Sequence, residues 1–192
     1  DGKHLFVYKR IPVEKRYAYY VESSPSDQLQ PILHKQEYAK PGDQLPQRLP
    51  AIIDVATGKK VEADTHQLEN QYELEWMQWI PDGKEVTMEY NKRGHHLYQM
   101  LAMNAETGKL RTVVEERSDK FVNYGRIWRQ FINDGKQLLW TSERDNWNHI
   151  YLYDVQKGKV IRQITKGAWF MKEVQRVDEK KGEIYTLHLL HK

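Results

Sequence analysis

A short polar string late in the sequence holds the residue types of a serine hydrolase. Ser142, Asp145 and His149 stand within eight positions, and such groups could supply a nucleophile, an acid and a base. A catalytic triad, however, joins residues that are distant in sequence around an oxyanion hole, and nothing nearby supplies that hole. We therefore expect a polar loop stabilised by local hydrogen bonds of Asp145 and His149.

The other serines are no better placed for nucleophilic catalysis. None lies in a Gly-x-Ser-x-Gly elbow, and the chain lacks the α/β alternation that would mount one. The serines are Ser23, Ser24, Ser26, Ser118 and Ser142. Cysteine is absent, which excludes disulfides, thiol catalysis and cysteine-based zinc sites. The sequence therefore assigns no catalytic residue.

Paired acidic and imidazole side chains are the next candidates for binding. Glu115 and Glu116 could hold a cation or an amine, but a carboxylate pair followed by Arg117 is more typical of a solvated strand end. His95 and His96 are adjacent, and adjacent residues on a strand point to opposite faces and rarely bind one metal. The sequence thus assigns no metal-binding and no cofactor-binding residue, and we expect no cofactor.

Six tryptophans could form a carbohydrate platform, but their positions on strands and at turns favour packing between sheets. They are Trp76, Trp79, Trp128, Trp140, Trp147 and Trp169. Positive charge is scattered, with a net charge of +3, and no basic stripe with interleaved aromatics marks a nucleic-acid site. We expect no nucleic-acid partner.

The elements that carry these residues repeat along the chain. Gly58-Lys59, Gly108-Lys109 and Gly158-Lys159 are spaced by fifty residues, and Asp82-Gly83-Lys84 and Asp134-Gly135-Lys136 by fifty-two. Asp-Gly between apolar runs indicates a hairpin, because glycine adopts the positive φ that the turn needs. Repeated turns in phase predict a repeated structural unit.

Each full unit holds four short segments rich in β-branched and aromatic residues, too brief for helices. Four antiparallel strands per roughly fifty residues is the period of a β-propeller blade. We predict an all-β partial β-propeller, with residues 1–192 forming a fragment of one propeller domain. Complete four-stranded blades are expected at 72–117 and 126–167, between incomplete blades at 1–68 and 168–192. Such an arc would expose sheet edges, so we expect self-association unless a neighbour covers them.

The first unit contains a long insertion at residues 11–47. Loops this long inside a compact domain are usually functional or disordered. Tyr17, Tyr19, Tyr20 and Tyr38 favour an ordered arm that docks on another surface.

One string resembles a known family. "SERDNWNHIYLYDVQKGKVIRQITKGAWFMKEV" (142–174) is similar to the pattern Ser-x-x-Asp-Gly-Trp/Tyr-x-His-Leu/Ile-Tyr followed by Leu/Ile-Thr-x-Gly-x-Trp. That pattern occurs in the N-terminal propeller of dipeptidyl peptidase IV and its bacterial relatives, in the prolyl oligopeptidase clan. The residues in register are Ser142, Asp145, Trp147, His149, Tyr151, Thr165, Gly167 and Trp169, and Asn146 replaces the usual glycine. A looser match is residues 37–59, similar to the family's Tyr-Pro-Lys-Ala-Gly-x-x-x-Pro segment.

The resemblance implies a role. Enzymes of this family are serine exopeptidases that remove N-terminal X-Pro or X-Ala dipeptides, with an eight-bladed propeller and a C-terminal α/β-hydrolase domain that carries the triad. This chain alone would then be noncatalytic and would shape substrate access for that domain. The propeller carboxylates that bind the substrate amine lie in a motif similar to Asp-Trp-x-Tyr-Glu-Glu; Glu115-Glu116 lacks this context, and we expect the pair upstream of Asp1.

The resemblance also implies partners: the hydrolase domain of the same polypeptide, peptide substrates, and a second subunit in a homodimer formed through the 11–47 arm. A periplasmic or extracellular location is expected on the same ground. The alternative is a propeller-type interaction module of a non-enzymatic scaffold that never had a hydrolase domain. A Gly-x-Ser-x-Gly motif further along the reading frame would favour the peptidase.

Overall fold

A computed structural model describes residues 2–190 and is built almost entirely of antiparallel strands. The strands are β1 (His4–Ile11), β2 (Tyr17–Glu22), β3 (Ile32–Glu37), β4 (Gln47–Asp54), β5 (Lys60–Glu62), β6 (Gln71–Trp79), β7 (Glu85–Lys92), β8 (Leu97–Asn104), β9 (Leu110–Arg117), β10 (Arg129–Ile132), β11 (Gln137–Ser142), β12 (His149–Asp154), β13 (Lys159–Gln163), β14 (Trp169–Asp178) and β15 (Glu183–Leu190). Helix within this range is confined to short 3-10 turns at Thr65–Leu68 and Tyr124–Arg126, and neither could cross a bilayer.

The sheets follow the predicted fifty-residue unit. Strands β6-β7-β8-β9 form one four-stranded sheet and β10-β11-β12-β13 another, each in sequence order. A three-stranded sheet, β1-β4-β5, precedes them, and a two-stranded sheet, β14-β15, follows. We refer to these sheets as blades 1 to 4 in chain order: blade 1 is β1-β4-β5 and blade 4 is β14-β15. The predicted fold class, a partial propeller with two complete and two incomplete blades, is confirmed.

The insertion in blade 1 is an ordered hairpin. Strands β2 and β3 pair antiparallel from Tyr17 opposite Glu37 to Glu22 opposite Ile32. They form a sheet of their own and join no blade. Large apolar side chains, among them Tyr19, Val21 and Leu33, are exposed on it. Docking of this arm on another surface stays a prediction.

The Gly-Lys turns share one hydrogen-bond pattern. In the third blade, the Asp154 carboxylate accepts from the Lys157 amide at 2.9 Å, and the Asp154 carbonyl accepts from the Gly158 amide at 2.9 Å. Asp54 and Asn104 play the same part in the two earlier turns. Gly158 has a φ of +60°, which explains why glycine stands at this turn position.

Three apolar clusters lie between successive blades. The first joins Ile52 of blade 1 to Leu74 and Met103 of blade 2. The second lies between blades 2 and 3 and includes the completely buried Trp140. The third joins Leu139 of blade 3 to blade 4. Five of the six tryptophans pack in these clusters: Trp76, Trp79, Trp128, Trp140 and Trp169.

Candidate functional site

The junction of blades 2 and 3 holds a buried carboxylate, Glu116, near the end of β9. It is 7% exposed. Its Oε1 accepts a hydrogen bond from the Trp140 indole at 2.9 Å, and its Oε2 accepts one from the Ser142 hydroxyl at 2.8 Å. The expectation that Glu116 is solvated was wrong. Its neighbour Glu115 turns away and pairs with Arg117.

Arg144 completes this cluster from the β11-β12 loop. Its Nη2 donates to Glu116 and to the Tyr153 hydroxyl, and its Nε donates to Ser142 at 2.8 Å. The guanidinium also lies over the Tyr151 ring, with its carbon 4.5 Å from the centroid. A buried carboxylate is tolerated when it is paired and hydrogen-bonded, and here every partner comes from blade 3. The cluster therefore fixes the position of one blade against the next.

A cleft of about 390 Å³ opens beside Glu116 and Arg144. The linker between β9 and β10 forms one wall and the β11-β12 loop forms the other. Its lining residues outside the Glu116 cluster include Phe121, Asn123, Arg126, Ile127, Asn146 and Asn148. The Arg126 guanidinium lies 5.2 Å from the centroid of the Phe170 ring, and no carboxylate of the described chain pairs with it. The cleft offers a ligand both polar groups and an aromatic edge.

The structure does not bring Ser142, Asp145 and His149 together. Ser142 donates to Glu116, and Asp145 accepts from the Gln163 side chain at 2.8 Å. His149 is fully buried and has other partners on both ring nitrogens. The resemblance to a triad is one of composition, because each side chain is engaged elsewhere.

His149 instead closes blade 3 against the segment that leads to blade 4. Its Nε2 donates to the Gly167 carbonyl at 3.0 Å, and its Nδ1 lies 3.1 Å from the Thr165 hydroxyl oxygen. The Trp169 ring packs edge-on against the imidazole at 4.9 Å. Gly167 has a φ of +124°, and a Cβ there would meet the Trp169 indole nitrogen at 2.9 Å. The motif thus has a structural role: it holds β12 of blade 3 against the segment that leads to blade 4. Its residues are His149, Thr165, Gly167 and Trp169.

A second buried carboxylate, Glu89 on β7, was missed by the sequence analysis. Its Oε1 lies 2.6 Å from the Nε of Arg129 on β10, and its Oε2 accepts from the Tyr98 hydroxyl. The Oε1 and Nε atoms are close, but neither makes a well-aligned hydrogen bond. Burial raises the pKa of Glu89 to about 7, against the attraction of Arg129. The available signal was a charged residue between Met88 and Tyr90 in the interior of the strand "EVTMEY".

The adjacent histidines lie in the turn between β7 and β8 rather than on a strand, and they have separate environments. His95 lies among the rings of Tyr72, Phe121 and Tyr124, and burial lowers its pKa. The His96 Nδ1 contacts the Ser118 carbonyl at 3.0 Å. Across residues 2–190, no three His, Asp or Glu side chains converge as metal ligands.

Residues 10–186 match the family model of the dipeptidyl peptidase IV (DPP IV) N-terminal region. The chain belongs to this family. The strands and turns described above are therefore those of a DPP IV N-terminal region of the propeller type. The buried Glu116 and Glu89 clusters lie between two of its blades.

Two curated relatives of this DPP IV region come from fungi. The dipeptidyl peptidase 4 proteins of Trichophyton equinum and Trichophyton rubrum are each 41% identical over 54 residues, which cover 28% of this chain and 7% of theirs. The matched segment is thus a small part of those proteins.

Solved structures share the fold along nearly the whole chain. A dipeptidyl aminopeptidase IV-type protein of Bacteroides ovatus superposes with a TM-score of 0.70 and 23% identity, covering 97% of this chain and 29% of that one. Dipeptidyl peptidase 4 of Porphyromonas gingivalis gives 0.66 and 20%, covering 87% and 23%. This chain spans less than a third of either structure.

Proposed function

We propose that this chain is a noncatalytic propeller segment of a DPP IV-like serine exopeptidase, in which it shapes substrate access to a C-terminal α/β-hydrolase domain. The family match over residues 10–186 carries the proposal. The separate partners of Ser142, Asp145 and His149 support a noncatalytic role, because a nucleophile must contact its base. The complete protein would remove X-Pro or X-Ala dipeptides from peptide N-termini.

A chromogenic Gly-Pro substrate tests whether the activity belongs to the complete protein and not to this chain alone. We expect no turnover by residues 1–192 alone and clear turnover by the complete protein. Ala-Pro and Gly-Ala substrates should also react, whereas Gly-Gly should be slow. Turnover by residues 1–192 would contradict a noncatalytic segment. Inactivity of a folded complete protein on all of these substrates would favour the scaffold alternative.

The cleft beside Glu116 is our candidate for the part of the chain that contacts substrate. Support comes from its volume and from Arg126, which borders it without a carboxylate partner in the described residues. In the complete protein, Arg126→Ala should raise KM for peptides of five or more residues and leave kcat within about twofold, as expected for a contact made equally in ground and transition states. A dipeptide-nitroanilide is the control. An unchanged KM for long peptides would remove the cleft from the substrate path.

The 11–47 arm is proposed to form part of a homodimer contact. The exposed Tyr19, Val21 and Leu33 support this role, since contiguous apolar surface marks interaction sites. Deleting residues 14–44 from the complete protein should convert a dimer to a monomer in light scattering. Replacing Tyr19 and Leu33 by serine is the milder variant that keeps the hairpin. A dimer unchanged by both would refute the arm assignment.

We further propose a periplasmic or extracellular location, which cell fractionation would test.

A further inference from the structure

Two arginines of blade 1 face each other across neighbouring strands. Arg10 of β1 is the register partner of Arg48 of β4. Side chains directly opposite on antiparallel strands share one face, with Cβ atoms about 5 Å apart, and like charges there are destabilising. No carboxylate of residues 2–190 forms an ion pair with either guanidinium. The fold therefore holds two like charges side by side, and the nearby Glu73 carboxylate attracts Arg48 without forming an ion pair with it.

Both arginines line one cleft of about 350 Å³ where the arm returns to blade 1 and meets the start of blade 2. Leu45 and Pro46 contribute apolar walls. The cleft is larger than a carboxylate alone requires, so these walls could contact the chain on either side of such a group.

Arg48 is held in place before any ligand arrives. The Gln71 side chain, which is 3% exposed, accepts from the Arg48 amide at 2.7 Å and donates to its carbonyl at 3.1 Å. The Nη1 atom of Arg48 donates to the Leu74 carbonyl at 3.0 Å. A guanidinium has five N–H donors, so most of them stay available for a planar acceptor.

Glu73 is the one carboxylate among the residues that line this cleft. Burial raises its pKa, and the hydrogen bond and negative charge of Glu75 raise it further, while Arg48 opposes the shift. Besides Glu73 and the two arginines, Tyr72 on the same strand β6 is the remaining titratable group of the lining. Two guanidinium groups against this one lining carboxylate leave the cleft with a net positive charge.

We propose that this cleft binds a carboxylate carried by a peptide chain, with Arg10 and Arg48 as its two anchors. A planar guanidinium matches a carboxylate in a two-point hydrogen-bonded fork, and two such groups on one face can share the anion. The source is either a C-terminal carboxylate or an acidic side chain. This site is distinct from the cleft beside Glu116 and does not depend on peptidase activity.

Arginine Nε–H signals of residues 1–192, followed by NMR during titration, test the proposal. The probes are acetyl-Ala-Ala-Ala with a free C-terminus, acetyl-Ala-Glu-Ala amide, acetyl-Ala-Ala-Ala amide and sodium phosphate, each at the same ionic strength. We expect one or both carboxylate peptides to shift the Arg10 and Arg48 signals saturably, and the pair identifies which source is preferred. The uncharged amide should produce no shift.

Matched variants separate a site from general attraction to positive charge. Arg10→Ala should weaken peptide binding at least tenfold, and Arg10→Lys should weaken it less, because the charge remains but the fork is lost. Lys9→Ala is the control: Lys9 is opposite Leu49, on the other face of β1, and its loss changes the net charge equally. Thermal melts verify that each variant is folded. Equal weakening by Lys9→Ala, equal binding of phosphate or of the amide probe, or no saturable shift would each overturn the proposal.

Discussion

The Gly-Lys turns offer a test of how blades contact one another. A Cβ added at Gly158 would lie 2.5 Å from the Thr112 carbonyl oxygen of blade 2, whereas one added at Gly58 would meet nothing within 4 Å. The two glycines have nearly equal φ values, +60° and +70°. Alanine at either site therefore costs the same strain of about 1 kcal/mol for a left-handed backbone. Only Gly158→Ala adds an overlap with neighbouring backbone, for about 1 to 3 kcal/mol more.

The expected losses in unfolding free energy are thus about 1 kcal/mol for Gly58→Ala and about 2 to 4 kcal/mol for Gly158→Ala. Urea unfolding at one fixed protein concentration, followed by tryptophan fluorescence, measures both. Gly108→Ala extends the series, because its Cβ would lie only 2.0 Å from the Glu62 carbonyl oxygen of blade 1. Equal losses for Gly58→Ala and Gly158→Ala, or a larger loss for Gly58→Ala, would refute close contact between each turn and the preceding blade.

Three further changes probe the buried polar groups. Burial raises the pKa of Glu89 from 4.5 to about 7 in the fold, so the folded state binds more protons between these values and stability should fall as pH rises from 4.5 to 7. Glu89→Gln should remove up to about 3 kcal/mol of that decline in urea melts at pH 5 to 8, and an unchanged dependence of stability on pH would contradict this reasoning. Ser142→Ala should cost about 1 to 2 kcal/mol by removing a donor to Glu116, yet leave the complete protein's peptidase activity within about twofold; loss of all activity would restore the triad interpretation. Thr165→Ala should cost about 1 to 3 kcal/mol by leaving His149 and the Ile150 amide, which donates to the Thr165 hydroxyl at 2.9 Å, short of a partner. Thr165→Ser should recover most of this loss, and equal losses would show that the methyl group rather than the hydroxyl matters.

The turns were predictable from sequence because their cause is local. A glycine that must take positive φ and an Asp or Asn that accepts from its own turn both stand within five residues, so the fifty-residue period is visible in the letters. The strand count and the all-β class follow from that period. The arm hairpin was harder, because β2 and β3 pair across a nine-residue loop that contains proline and serine but no fixed turn signal.

The buried carboxylates were not predictable in the same way. Glu116 has the same alternation as the buried Val114, which was an available hint, but its partners Trp140 and Arg144 stand 24 and 28 residues further along the chain. Whether a carboxylate can be buried depends on such partners, and no local pattern reveals them. The pair Glu115-Glu116 therefore looks uniform in sequence and has two different environments in the fold.

Polar contacts at the blade 2 and blade 3 junction have a consequence that apolar packing lacks. Hydrophobic contact is non-directional, and two flat sheets packed by it alone could slide or rotate. The Glu116 to Arg144 and Glu89 to Arg129 pairs cross this junction, and Arg111 adds a hydrogen bond to the Val155 carbonyl at 2.7 Å. Buried ion pairs often contribute little net stability, so their effect here is on geometry: they hold the angle between blades, and with it the walls of the cleft beside Glu116, in one arrangement.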